Sequence, residues 1–266
     1  MSSAEVSHQS CGCKGVRFCA LCETSERVLK LRTEDDKYVS ICPTLTSTAS
    51  IEDIITASLS SNSLQHACDV ISIDGIMIVP DFLSESEENI LLEMIDGVDW
   101  MLSQSGRRKQ DYGPKVNFKH KKVKFDSFVG MPEYADFLLE KMQSISAEKL
   151  GNYIPFEMCN LEYDQSKKSA IEMHFDDMWI WGNRLIRLFQ LCYIWMPHRS
   201  LICLSNEARY VWKHAVLSHH IRGRRIALTM REPSKEFQEG GEFYEKYGKQ
   251  LIALSNIRVP LRKCIS

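Results

Sequence analysis

Residues 225–231 alternate with a period of two. Arg225, Ala227, Thr229 and Arg231 fall on one side, and Ile226, Leu228 and Met230 on the other. Successive side chains of a β-strand point to opposite faces. The segment therefore reads as a strand with one apolar face on a core. Its other face carries two guanidinium groups separated by small side chains. Two arginines are out of place on an ordinary half-buried strand. They make sense if the face lines a site for a small dicarboxylic acid, because the guanidinium fork matches a carboxylate.

The same phase argument applies to His174-Phe175-Asp176. Residues i and i+2 of a strand face the same way, so His174 and Asp176 can reach one metal ion from a single backbone segment. In a chain with 8 histidines and 35 acidic residues such a triplet alone is weak. Its value lies in its order and phase relative to a third ligand and to the arginine strand. Among the remaining histidines, His214 stands in a strand-like run after Tyr210-Val211-Trp212, a short distance before the arginine strand. His219 and His220 adjoin Ile221-Arg222-Gly223 and read as an exposed turn, while His198 and His120 read as surface or packing residues. Two histidines and one carboxylate occupy one face of an octahedral Fe(II) and leave positions open for a cosubstrate and oxygen. With two arginines for 2-oxoglutarate, the set points to an iron-dependent oxygenase.

Three zones organise the chain. Residues 1–30 are a cysteine-rich loop. Residues 31–70, rich in Ser and Thr from 43 onward, read as a partly disordered linker. Residues 71–266 form the main domain. It opens with a strand at 75–79. A helix follows, with Ser84 and Glu87 spaced as a capping box ahead of Ile90, Leu91, Met94 and Ile95. A second helix starts after Pro132, and short apolar runs at 157–163, 170–176, 201–204, 210–216 and 225–231 read as strands. Helices first and strands later predict an α+β domain with a double-stranded β-helix (jelly-roll) core. No run of about 18 apolar residues suggests a membrane span. Ten cysteines without a secretory signal pattern point to reduced thiols or metal ligands, and to cytoplasm and nucleus.

Two further motifs carry chemistry. Cys11, Cys13, Cys19 and Cys22 have the form C-x-C-x5-C-x2-C, and four thiolates on a short loop suit structural zinc. Residues 105–124 hold eight Lys or Arg against one acid, Asp111, with Tyr112 and Phe118 interleaved. Arg107, Arg108, Lys109 and Tyr112 are the expected substrate contacts there, on phosphates or on an acidic protein surface. Asp177 is a further candidate for the substrate, and Trp179 and Trp181 read as core or pocket wall.

On these residues the chain resembles the AlkB family of iron- and 2-oxoglutarate-dependent dioxygenases over nearly its whole length. The stretches that carry the resemblance are Cys11-Gly12-Cys13-Lys14-Gly15 with Cys19-Ala20-Leu21-Cys22, residues 102–118, Cys159-Asn160-Leu161-Glu162-Tyr163, His174-Phe175-Asp176-Asp177, Trp212-Lys213-His214-Ala215 and residues 225–232. The resemblance implies that His174, Asp176 and His214 bind iron. It also implies that Arg225 and Arg231, with Asn160 or Tyr163, bind 2-oxoglutarate. The implied reaction is oxidative demethylation of methyllysine in a protein such as actin, or of N6-methyladenine in DNA.

One spacing departs from that family. Only 38 positions separate Asp176 from His214. Four strands should intervene, which at 8–12 residues each need roughly 32–48, and residues 188–204 hold two clear strands. The chain is therefore expected to lack an internal segment and to have an incomplete barrel. This motivates a rival reading, a non-enzymatic protein that binds actomyosin or nucleic acid through the cysteine loop and the basic segment.

Overall fold

The computed structural model describes residues 11–14, 17–34, 74–145, 147–184, 198–211 and 213–260. Most of the segment read as a linker lies outside them, as do Trp212 and the apolar run 185–197.

Helix α1 (Glu26–Glu34) follows the cysteine loop. The main domain begins with β1 (Ile76–Val79) and α2 (Glu85–Asp96). The capping box of α2 forms as its spacing predicts: Glu87 N–H donates to Ser84 Oγ, and Ser84 N–H donates to the Glu87 carboxylate at 2.7 Å. Short strands follow: β2 (Met101–Leu102), β3 (Arg108–Tyr112), β4 (Lys115–Asn117), β5 (Lys122–Lys124) and β6 (Met131–Pro132). Helices α3 (Tyr134–Ile145) and α4 (Ala147–Leu150) lead into the long strand β7 (Glu157–Asp164) and then β8 (Ile171–His174). The last elements are β9 (Leu201–Leu204), α5 (Asn206–Tyr210), β10 (His214–Val216), β11 (Arg224–Arg231), α6 (Lys249–Ser255) and β12 (Arg258–Val259).

The expected strand over 210–216 is thus split. Residues 206–210 are helical and only His214–Val216 is extended.

The main sheet is four-stranded and antiparallel, in the order β11-β7-β3-β2. Directly opposed residues of antiparallel strands share a face. One face therefore carries Ile226, Leu228 and Met230 with Met158, Asn160, Glu162, Gln110 and Tyr112. The apolar members of this face join a core with Leu91 and Ile95 of α2 and Leu138 and Met142 of α3. α3 buries Tyr134, Ala135, Leu138 and Met142, at about 1.5–3 kcal/mol for each large apolar side chain fully buried. The other face carries Arg225, Ala227, Thr229 and Arg231 with Tyr163, Leu161, Cys159 and Glu157.

β8 pairs with β10 in a separate two-stranded sheet, and β9 pairs with β1. Among the described residues, one strand and one short helix stand between β8 and β10. The fold is a mixed α+β architecture. No helix among the described residues is long and apolar enough to cross a membrane.

Candidate active site

The β8–β10 register puts His214 directly opposite His174, with ring centroids 4.0 Å apart. Asp176 lies just beyond the end of β8, with Oδ1 3.8 Å from His174 Nε2. Its carboxylate accepts from Arg231 Nη2 at 3.2 Å and Nε at 3.4 Å. That contact brings the arginine face of the main sheet against the β8–β10 layer. Arg231 also donates to Glu157 Oε1 at 3.2 Å. Burial pushes the Glu157 carboxyl up to about 7; Arg231 pulls the other way, and Asp176 and Asp111 add like charge.

The structure divides the two arginines. Arg231 is engaged by two carboxylates. Arg225 is half-buried, its guanidinium lies 5.1 Å from the Tyr163 ring centre, and its buried Nη1 has no hydrogen-bond partner. A buried guanidinium nitrogen without an acceptor costs about 1–3 kcal/mol or more, and an anionic cosubstrate would relieve that cost. Ala227 and Thr229 keep the floor between the two arginines low. Arg107, expected as a substrate contact, joins this site instead. It is 8% exposed, and its guanidinium stands 5.9 Å from the same Tyr163 ring.

Several expected site residues sit elsewhere. Asn160 shares a strand with Tyr163 but has the opposite parity. Its amide nitrogen donates to Gln110 Oε1 at 2.8 Å and Tyr134 Oη at 2.7 Å, inside the core. Tyr112 lies on the same core face. Arg108 is clamped on Glu162 and stands 5.5 Å from the Trp100 ring centre, where Arg224 also donates to Glu162. Lys109 does lie on the arginine face, paired with Asp111 at 2.5 Å. Asp177 Oδ1 accepts from the backbone N–H of Trp179 at 2.8 Å and Ile180 at 3.1 Å, so its carboxylate shapes its own turn. Trp179 and Trp181 pack in the core, Trp179 edge-on to Phe237 and Phe243. His219 and His220 meet edge-on in a 3-10 turn, and His198 pairs with Glu88 at the surface.

The exposed part of the basic segment is the β4–β5 hairpin. Lys115, Lys119, Lys121, Lys122 and Lys124 all face solvent, with Phe118 48% exposed at the turn.

Among the described residues, Cys11, Cys13, Cys19 and Cys22 are the one set of His, Cys or carboxylate donors whose ligand atoms all lie within 4.8 Å of one another. The His174–Asp176–His214 set is more open. Its donor chemistry still suits Fe(II), and the cross-strand register already faces the two imidazoles.

Two functional residues carry little signal in the sequence. Glu157 has the parity of Tyr163 on β7, so alternation alone could place it beside Arg231. Arg209 is 0% exposed and donates to the carbonyls of Asp176, Asp177, Trp181 and Gly182. It binds together the loop that carries Asp176. Nothing in its local sequence marks it.

Comparison with known proteins gives the family. The chain is 61% identical to a Caenorhabditis elegans protein described as a DNA N6-methyl adenine demethylase, over 99% of both chains. It is 32% identical to human alpha-ketoglutarate-dependent dioxygenase alkB homolog 4, over 93% of both chains. The chain belongs to the AlkB family of 2-oxoglutarate-dependent dioxygenases. The mouse homolog 4 matches at 31% over 94% of this chain and 96% of its own length. No family model matches the chain. The alignment with the nematode relative runs over 292 positions against 266 residues here, so at least 26 of its positions have no counterpart in this AlkB-family chain.

Proposed function

We propose that this chain is an Fe(II)- and 2-oxoglutarate-dependent oxidative N-demethylase whose substrate is N6-methyladenine in DNA. The observation that carries the reading is the pair of facing layers. One presents His174 and His214 in register beside Asp176; the other presents Arg225 with an unsatisfied buried donor. The identity with a DNA N6-methyl adenine demethylase over 99% of the chain supports the substrate. We read the two layers as part of a double-stranded β-helix. The cytoplasm and nucleus are the compartments consistent with it.

His174, Asp176 and His214 would hold the iron, and Arg225 with Tyr163 the distal carboxylate of 2-oxoglutarate. Bound together, iron and cosubstrate supply activation of oxygen for hydroxylation of an N-methyl group. The protein orients the rest. Arg231 fixes the Asp176 carboxylate, and Glu157 fixes Arg231. The deeply buried floor around Tyr163 excludes water from the cosubstrate.

Anaerobic titration of the full chain with Fe(II) and 2-oxoglutarate should give a visible charge-transfer band. Once oxygen is admitted, methylated DNA should yield formaldehyde and unmodified adenine, with 2-oxoglutarate converted to succinate and carbon dioxide. A band without DNA turnover, but with turnover of a methyllysine peptide from actin, would transfer the substrate assignment to protein. Folded protein that gives no band would favour the non-enzymatic binder. That reading rests on the 38-residue interval and on the missing aligned positions.

The hairpin supplies an independent test of the nucleic-acid partner. DNA affinity should fall steeply with salt. Replacing Lys119, Lys121 and Lys122 with Gln should lower the log–log slope by about 0.9 for each phosphate no longer neutralised. An unaltered slope would remove the hairpin from the DNA interface, while Arg107, buried in the fold, and Arg108, paired with Glu162, would not be expected to change it.

A further inference from the structure

Sequence alone suggests a cysteine loop that hangs outside the main domain. The structure docks it. Ala20 N–H donates to Lys167 O at 3.2 Å, and Lys168 pairs with Glu23 at 3.1 Å. A Cβ on Gly12 would stand 2.6 Å from Ser103 O, and a Cβ on Gly106 would stand 3.1 Å from Cys19 Cβ. The loop therefore lies directly on the turn 103–107. That turn is held from its other side by Ala170 N–H donating to Ser105 O at 3.1 Å and by Ser169 Oγ donating to Gly106 O at 2.7 Å. Ser105 and Gly106 both take left-handed backbone, at φ +53° and +73°. A non-glycine residue in that region costs of order 1–3 kcal/mol unless its surroundings hold it.

The turn ends at Arg107. Its backbone N–H donates to Gln104 O at 3.3 Å, its Nε donates to the same carbonyl at 3.2 Å, and its carbonyl accepts from Ser103 N–H at 2.9 Å. From this anchored position the guanidinium reaches Tyr163, opposite Arg225. A continuous path thus runs from the four thiols, through a strained turn, to the anion site.

We propose that Cys11, Cys13, Cys19 and Cys22 bind one zinc ion, and that this zinc clips the turn 103–107 in place so that Arg107 becomes a third arginine of the cosubstrate pocket. Four sulfurs around zinc at about 2.3 Å sit about 3.8 Å apart; Cys19 Sγ and Cys22 Sγ are 4.0 Å apart. The Cys19 N–H and Arg27 Nη2 both donate to Cys22 Sγ, at 3.4 and 3.6 Å. Such outer donors orient a metal-bound thiolate. Four protein ligands close the tetrahedron, so the ion is structural, and its binding free energy becomes folding free energy of the loop. The zinc is thereby coupled to the affinity for 2-oxoglutarate. The clip stands on the geometry of the loop; its link to 2-oxoglutarate rests on the function proposed above.

The test uses the full chain purified without chelators. Elemental analysis should find about one zinc per chain besides iron. Hydrogen exchange over residues 101–108 should quicken by at least about tenfold when zinc is stripped, and recover when it is restored. The stripped protein, reloaded with Fe(II), should bind 2-oxoglutarate about 10- to 100-fold more weakly. Cys11→Ser should reproduce these changes in a partly exposed position, and Arg107→Gln should weaken 2-oxoglutarate while leaving the zinc content unchanged. Absence of zinc, or iron with sulfide in its place, overturns the metal assignment. Unchanged exchange at 101–108 after stripping overturns the clip. Faster exchange with unaltered 2-oxoglutarate affinity overturns the role of Arg107. If the intact protein binds no 2-oxoglutarate at all, the proposed enzyme fails while the zinc and exchange measurements still decide the clip.

Discussion

Replacing Asp176 with Ala should abolish substrate-coupled succinate formation while leaving the fold in place. Loss of an outer partner of a metal ligand costs about 10- to 100-fold, so loss of a ligand itself should cost more. The carboxylate is the proposed iron ligand, and it accepts two hydrogen bonds from Arg231. Removing it does not orphan Arg231, because Glu157 Oε1 remains 3.2 Å away. The folding cost should therefore stay small beside the catalytic one. Burial works against the Arg231 charge, and the two carboxylates overcome it and hold its pKa above the usual arginine value. In the variant the arginine stays charged on Glu157 alone. Circular dichroism and a melting curve should show a near-native fold. Succinate formation that still responds to substrate at the original rate would remove Asp176 from the metal site.

Strand parity makes much of this site legible in the sequence. Arg225 and Arg231 share a face with Tyr163 because their spacings are even and the register pairs Arg225 with Tyr163. The same rule separates Asn160 from Tyr163, which are three residues apart and cannot both look into one pocket. Composition groups the consecutive Arg107, Arg108 and Lys109, whereas alternation sends Arg108 toward Trp100 and its neighbours to the other side. The capping box is legible because it is a local code completed within four residues. The docked cysteine loop is not, because Cys19 meets Gly106 across more than eighty residues of chain and no local pattern encodes that contact. The end of the helix Asn206–Tyr210 reads as strand because its apolar neighbours mimic alternation; its role depends on one buried arginine that periodicity does not distinguish. The interval between Asp176 and His214 is legible as a count. Its consequence is not: the two imidazoles still meet across β8 and β10.

That buried arginine carries the largest expected loss of stability. Arg209 donates to the carbonyls of Gly182 at 3.1 Å, Asp177 at 2.7 Å, Trp181 at 3.4 Å and Asp176 at 3.5 Å. These four acceptors belong to the loop that follows β8, and no apolar replacement can serve them. Arg209→Met keeps much of the volume but strands the carbonyls in a buried place. Each buried unsatisfied polar group costs about 1–3 kcal/mol, and breaking a buried charged network costs about 3–5 kcal/mol. For a domain of this size that lowers the melting temperature by about 6–20 °C. Arg209→Lys should recover only part of the loss, since a single ammonium cannot span four carbonyls as the planar fork does. The loop also carries Asp176, so Fe(II) affinity should fall along with stability in both variants. A purely catalytic residue would lower activity without moving the melt. If Arg209→Met melts within about 2 °C of the parent, a shift worth no more than about 1 kcal/mol, then the loop does not depend on the arginine, and Asp176 must be positioned by Arg231 alone.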